Sequence, residues 1–414
     1  MTNVEAQAIK PTSRPERIKE LDIIRGFALF GVLLVNTAMF NTTLMSKSAM
    51  GAPLTNPWNV GVFSDKLAAL FIQLFGEGKF YTIFSFLFGL GFCIFMERAE
   101  AKGCSSKKLF RRRSFFLLLF GVLNFSLVWY GDILHVYGIV GFLLMLFINR
   151  STKTIRNWII GLLIFSTVIF FGFILLNSLG SALLPPQMLE AQEASVKAMA
   201  EKSVEIYQDG SFLDIVGYRL SFESIFILMN LVFLMPKILG MFLIGLYVGK
   251  RKIFSDIEGN MELIRKTWRI GGVVGIIATL TYALIQSEVI PFNQILSAPI
   301  ITFFKEIATV SLSLFYITSL IQLSRKDSFK KLLSPLSYMG QMALTNYLVQ
   351  CITLSLIFYG HGLGLVYRIG VSLGVLITLA IYIAQIFISK IWLSKFKYGP
   401  FEWVWRYLTY KGVV

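Results

Sequence analysis

Apolar residues in this chain come in long runs rather than in the one-sided stripes of a soluble helix. Stretches such as Ile23–Phe40, Phe80–Met96 and Phe115–Trp129 are nearly uninterrupted. Crossing the hydrocarbon core of a bilayer takes about 20 apolar residues, ~17 for a short span. The pattern predicts ten spans, over 22–41, 78–97, 114–130, 133–149, 157–177, 222–249, 270–287, 297–323, 336–358 and 366–389. Two segments stand apart. Residues 61–77 carry Leu67, Leu70, Phe71 and Leu74 at helical spacing with Asp65, Lys66 and Gln73 elsewhere, which predicts a helix lying along the outer interface. Residues 178–221 hold Pro185–Pro186 and then a Glu-, Ala-, Lys- and Gln-rich stretch, which predicts a short amphipathic helix in an outer loop. The expected class is all-α, a polytopic membrane helix bundle. Its expected divisions are a cytoplasmic tail (1–21), a first membrane half (22–177), the outer segment (178–221), a second membrane half (222–389) and a cytoplasmic C-terminal tail (390–414). No repeat relates the two halves, so an inverted-repeat transporter finds no support.

Composition agrees with the pattern. Of 414 residues, 56% are apolar and only 15% charged, and the mean hydropathy is +0.69. Soluble domains carry ~25% charge, and disordered, coiled-coil, collagen-like and disulfide-scaffold chains are excluded on the same grounds. The net charge of +16 has a topological reading, because Lys and Arg gather in cytoplasmic loops. With the N-terminus inside, 29 of the 39 basic residues fall on the inner side and seven on the outer. Arg25, Lys237 and Lys305 remain within spans. Both termini are therefore expected in the cytoplasm, and the basic balance calls for no nucleic-acid partner. The polar, basic start before Asp22 has the outline of a signal peptide, but the apolar run that follows is long, contains Asp22 and Arg25, and lacks a small-residue cleavage site. A retained first helix is expected. The spacing of Cys93, Cys104 and Cys351 suggests neither a structural disulfide nor a metal site.

Ionisable groups inside a membrane cost a few kcal/mol each on insertion scales, so each is a candidate for function. Asp22, Arg25 and Asn36 share roughly one face of the first span. The first two either form an interfacial pair that orients the helix or stand near a cytoplasmic ligand. In the turn WYGDILHVYG, Asp132 precedes His135 by three residues, so its carboxylate can hold one imidazole nitrogen, as a general base requires. The alternative makes Asp132 an N-cap and His135 an interfacial side chain. The other histidine, His361, falls in the glycine-rich outer loop FYGHGLGL and is expected to be exposed. Lys237 follows Pro236 near mid-membrane and needs a partner: Asp132, Glu223, Glu306 or an anionic ligand. Lys305 and Glu306 lie in span eight, Asn346 and Gln350 on one face of span nine. Gly245 and Gly249 predict close approach of a neighbouring helix. Lys79, beside Glu77, is expected to snorkel to the outer boundary.

Taken together, RIKELDIIRGFALFGVLLVN, EGKFYTIFSFLFGLGF, GDILHVYGIVG, PKILGMFLIGLYVGK, MALTNYLVQ, FYGHGLGL and GPFEWVWRYLTY resemble a bacterial group of polytopic proteins, domain-of-unknown-function family 418. The likeness runs from about Arg17 to Tyr410, and it implies the cytoplasmic (inner) membrane of a bacterium. More distantly, the opening Leu21–Asp22–x–x–Arg25–Gly26 resembles the first span of transmembrane acyltransferases. These include enzymes that acetylate surface polysaccharides and the lysosomal heparan-alpha-glucosaminide N-acetyltransferase. That resemblance implies an acyl group taken from a cytoplasmic thioester and delivered to an acceptor on the far side. The polysaccharide enzymes place a histidine fourteen residues after the Asp, where this chain has Asn36. The heparan branch has Asn there and its histidine in the following loop, whereas residues 41–61 here hold none. His135, with Asp132 and Asn36, is then the expected catalytic set. Asp22, Arg25, Arg111, Arg112 and Lys237 are the expected donor-binding set, with acyl-CoA as donor and an envelope glycan or lipid as acceptor. The competing class is a transporter, or a lipid- or solute-binding membrane protein, that uses the same polar cluster. A structural or regulatory membrane subunit is the third. The oligomeric state stays open.

Overall fold

The computed structural model describes residues 18–46 and 61–411. Most of the expected N-terminal tail (1–17) and the outer Lys47 lie outside the described residues. Among those described, every regular element is helical. In chain order they are α1 (Lys19–Phe40), α2 (Phe63–Phe71, prolonged by a π turn over Ile72–Gly76), α3 (Lys79–Ala101), α4 (Ser106–Leu127), α5 (Leu134–Leu144), α6 (Thr152–Leu183) and α7 (Pro186–Asp209). Then come α8 (Phe212–Tyr218, with a π turn over Arg219–Glu223), α9 (Ser224–Lys250), α10 (Met261–Gln286), α11 (Gln294–Ser324), α12 (Asp327–Leu333), α13 (Leu336–Gln341), α14 (Ala343–Phe358), α15 (Val371–Lys395) and α16 (Pro400–Tyr410). Seven helical segments are long and apolar enough to cross a membrane, and α5 and α14 are shorter apolar helices. Helix α4 opens on Lys107, Lys108 and Arg111–Arg113 before its own apolar run. The chain is an all-α polytopic membrane helix bundle.

A helix that is apolar all round belongs either in the core or against lipid, and both cases occur. In α1, 72% of the best apolar window is buried, because α13, α15, α3 and α14 surround it. In α6 the share is 6%, so its flanks face hydrocarbon. Helices α3 and α9 pack closely, through glycines. A Cβ on Gly245 would sit 2.1 Å from the Phe86 carbonyl oxygen, and one on Gly89 would sit 1.8 Å from that of Phe242. Small residues at such crossings let two backbones approach without a side chain between them.

Ion pairs and hydrogen bonds tie the basic loops together at one end. Lys250 donates to the carbonyls of Ile148 and Arg150 at 2.6 and 2.7 Å. Arg325 pairs with Glu258 at 2.8 Å and Glu20 at 3.7 Å. Arg112 donates to Leu408 and Lys411. At the other end, Asn41 bonds the backbone of Tyr367 and Ile369, and Gln208 of α7 donates to Val366. Asp65 of α2 accepts from the backbone and hydroxyl of Ser372 at the start of α15, while Phe63, Leu67 and Phe71 of α2 point outward.

Several elements differ from the sequence reading. The segment 178–221 holds, besides the end of α6 and the short α8, a 24-residue helix, α7, whose Ala200, Ser203 and Tyr207 are buried against the bundle. The stretch 336–358 breaks at Met342 into α13 and α14. The tail over 390–414 contains the end of α15 and all of α16. These last two differences have one cause. The first N–H groups of a helix lack partners within it. Glu402 of α16 accepts from Leu344 N at 2.7 Å, Thr345 N at 3.1 Å and Thr345 Oγ1 at 2.5 Å, so α16 caps the helix that begins after the break.

Candidate functional site

The α4–α5 hairpin builds the centre of the site. A Cβ on Gly121 would lie 2.0 Å from the His135 backbone nitrogen, so only glycine lets α5 start this close to α4. Asp132 is buried, and its Oδ2 accepts from His135 N and meets His135 Nδ1, both at 3.0 Å. Its Oδ1 accepts from Asn124 Nδ2 at 2.8 Å and Tyr347 Oη at 3.1 Å. An ionised carboxylate with these partners makes Nδ1 the donor and leaves the lone pair on Nε2. Asp132, one residue before the N-cap Ile133, thus holds both a backbone N–H of the first turn of α5 and the imidazole. The two sequence readings of this pair are compatible, because the backbone and the ring approach the same oxygen.

Nε2 has no hydrogen-bond partner among the described residues, and His135 lines a cavity of about 1170 Å³. The same cavity is lined by Asp22, Arg25, Asn36, Lys237 and Glu306. Asp22 and Arg25 pair at 2.8 Å. Asn36 is buried, and its amide makes no hydrogen bond among the described residues. Lys237 pairs with Glu306 at 2.8 Å, so of the partners open to it the structure selects the one on α11. Its ammonium also lies 5.5 Å from the Tyr81 ring centre. Lys305 pairs with Glu77 at 2.8 Å. Next to them Lys79 is fully buried and donates to the Gln73 carbonyl at 3.2 Å. It does not snorkel, because the π turn before α3 folds that carbonyl over it.

Two expected donor-binding residues fall outside the cavity. Arg111 is exposed on α4, and Arg112 is engaged in capping α16 through the Leu408 and Lys411 carbonyls. The register of α4 turns Arg113 inward instead, stacked over Trp405 at 3.8 Å. With Arg98, Lys102 and Arg406 it supplies the basic rim of the cavity at its Asp22–Arg25 end. Asn346 and Gln350 bond Ser389 and Gln385 and so knit α14 to α15 rather than serve the cavity. His361 is only partly exposed. Its Nε2 meets Ser355 Oγ at 3.0 Å and its ring packs on Phe212. Sequence reasoning missed Asn124, Tyr347 and Glu402. Each is a polar residue inside or beside an apolar stretch, which was the available signal, but their common target, the α5 and α14 helix starts, exists only in the fold. It offered Glu223 only as a partner for Lys237 and did not single out Arg219; both are fully buried and meet instead at Tyr207 of α7 (Arg219 Nε to Tyr207 Oη 3.4 Å, Tyr207 Oη to Glu223 2.7 Å).

A family model described as "Protein of unknown function (DUF418)" matches residues 248–412. The chain is 33% identical over 416 residues to the uncharacterized protein YxaH of Bacillus subtilis (strain 168), covering 97% of this chain and 96% of that one. The chain belongs to the DUF418 family. It is also similar to the uncharacterized protein YeiB of Escherichia coli (strain K12), 28% identical over 422 residues covering 96% and 97% of the two chains. An uncharacterized 39.9 kDa protein of Bacillus acidopullulyticus is 29% identical over 406 residues, 97% and 96% covered. The DUF418 match takes in Glu306, Tyr347 and Glu402. Asn36, Asp132 and His135 lie in the remainder, which these whole-length relatives cover.

Proposed function

We propose that this DUF418 protein is an integral membrane acyltransferase of the bacterial inner membrane, moving an acyl group from a cytoplasmic acyl-CoA to an acceptor that arrives from the other side. One observation carries the reading: a single cavity is lined by the basic rim around Arg25 and by a histidine whose Nδ1 is held by a buried carboxylate and whose Nε2 is open. Arg25, Arg98, Arg113 and Arg406 suit the phosphates of the coenzyme, with Trp405 beside them offering a stacking face. His135 Nε2 takes the proton of an acceptor hydroxyl or amine, whose oxygen or nitrogen attacks the thioester carbonyl. The carbonyl oxygen gains negative charge, which the free Asn36 amide or the Lys237 ammonium stabilises. Collapse breaks the carbon–sulfur bond, and the departing thiolate takes the proton from the imidazolium. The products are the acylated acceptor and free coenzyme A thiol. Asp132 stabilises the imidazolium meanwhile, and Asn124 and Tyr347 hold Asp132.

Purified protein given acetyl-CoA and bacterial envelope lipid or glycan should release thiol, and His135→Ala should lower the rate ~100-fold or more. Absence of acyl-CoA binding, or an unchanged rate in His135→Ala, overturns the proposal. Solute passage is the second reading, favoured by the Lys237–Glu306 pair facing the cavity. It predicts flux in liposomes that His135→Ala leaves intact.

A further inference from the structure

Beyond His135 the cavity reaches a surface that faces hydrocarbon. Asn230 lines it and is exposed. Around Asn230 on α9, Ile225, Leu228, Met229 and Val232 are 61–63% exposed; the Asn230 amide nitrogen donates to the Phe226 carbonyl at 3.0 Å, and its oxygen is left to the cavity side of a lipid-facing helix. Asn230 and Lys237 are seven residues apart and share a face of α9. Opposite them Thr302, Lys305, Glu306 and Thr309 follow one another at helical spacing on α11 and line the same cavity. A polar track thus leads from the bilayer to the Lys237–Glu306 and Lys305–Glu77 pairs, with the buried Lys79 behind them. Lys237 and Lys305 face the cavity, where each ammonium can share its donors between its glutamate and an incoming anion. A second hollow of about 410 Å³ opens on the seam of α6 and α11, and its walls, Val168, Phe171, Phe292, Ile300, Phe303 and Phe304, are wholly apolar. Helix α6 borders both spaces, since its Phe170 and Ile174 line the main cavity.

We infer that this corner binds a phospholipid whose headgroup carries a net negative charge, which enters sideways past Asn230 and Thr302. The phosphate takes Lys237 and Lys305, and a hydrocarbon chain takes the apolar hollow. A free phosphate shares the headgroup chemistry but has no use for the hollow or for an opening toward lipid. The further step, that the headgroup's hydroxyl or amine is the acceptor presented to His135, rests on the transferase reading. The binding itself does not.

Native mass spectrometry and thermal melting of the detergent-solubilised full chain test it with phosphatidylglycerol, phosphatidylcholine and glycerol phosphate. Phosphatidylglycerol should bind at least about tenfold more tightly than phosphatidylcholine, the worth of one charge-assisted contact, and glycerol phosphate should give no melting shift at matched concentration. The double substitution Lys237→Met with Glu306→Leu, which leaves neither charge unpaired, should abolish the preference. Ile300→Trp, which fills the hollow, should weaken phosphatidylglycerol binding while acyl-CoA binding persists. Equal binding of the two lipids, a full shift with glycerol phosphate alone, or unchanged binding in both variants overturns the inference. Thiol release measured on the same samples separates the two proposals. Lipid preference without thiol release removes the transferase alone, and thiol release without lipid preference removes the lipid site alone.

Discussion

Asp132 carries four hydrogen-bonding contacts from three residues in different helices and turns, and the imidazole orientation depends on all of them. Asp132→Asn keeps the volume but can present an amide to Nδ1, which frees the ring to adopt the other tautomer. Thiol release should then fall ~100-fold or more with little change in acyl-CoA binding, a kcat effect that a purely structural role would not confine to turnover. Lys237 and Glu306 make a separate prediction. Removing one partner of a buried pair leaves an uncompensated charge, so Lys237→Met should cost ~3–5 kcal/mol, whereas adding Glu306→Leu should restore most of it. Melting temperatures of the single and double variants in detergent check the sign. At this scale the sequence revealed the Asp132–His135 pair from spacing alone, because three residues on a helix lie on one side. It left four partners open for Lys237, since the choice depends on which helix packs opposite.

Helix α7 and the loop that follows α14 form one layer at the end opposite the basic loops. Tyr207 N-terminal to α8 bonds Glu223 and Arg219, Gln208 bonds Val366, and Phe212 packs on His361. Burial, and then the Arg219 guanidinium, hold the His361 imidazole below its ordinary value of 6.5. Because the unfolded chain takes up the proton at higher pH than the folded one, the contribution of this contact is complete above that value and declines as pH falls through it. Hydrogen-exchange protection factors across 186–218, taken relative to the intrinsic rate at each pH, should therefore fall below pH 6.5, and His361→Asn should remove that fall. Periodicity located α7 and gave its amphipathic character. It underestimated its length, because Ala200, Ser203 and Tyr207 gain their apolar surroundings only from the bundle. The break at Met342 was likewise not read, although Gly340 and Gln341 stand just before it, since the group that caps the new helix start is Glu402, far along the chain.

Across the whole molecule, the loops that carry most of the basic residues join at one end, through Lys250, Arg325 and Arg112. The positive-inside rule assigns that end to the cytoplasm. A fluorescent protein fused after Val414 should fluoresce, and a cysteine placed at Lys197 should react with an impermeant maleimide in intact spheroplasts. A labelled C-terminus together with a protected Lys197 would reverse the orientation.

The sequence by itself determined the class of the molecule, where most of its long apolar helices run and which few charges lie away from the basic loops. Those follow from local quantities, the length of apolar runs and the distribution of Lys and Arg, which need no knowledge of neighbours. Only the tertiary structure decided that Asp22, Arg25, Asn36, His135 and Lys237 line one cavity, that Arg111 and Arg112 do not, and that Arg113 does. It also decided that Asn230, exposed on α9, lines that cavity. These outcomes depend on helix rotation and on which helices touch, and a run that is apolar on every side does not encode its own rotation.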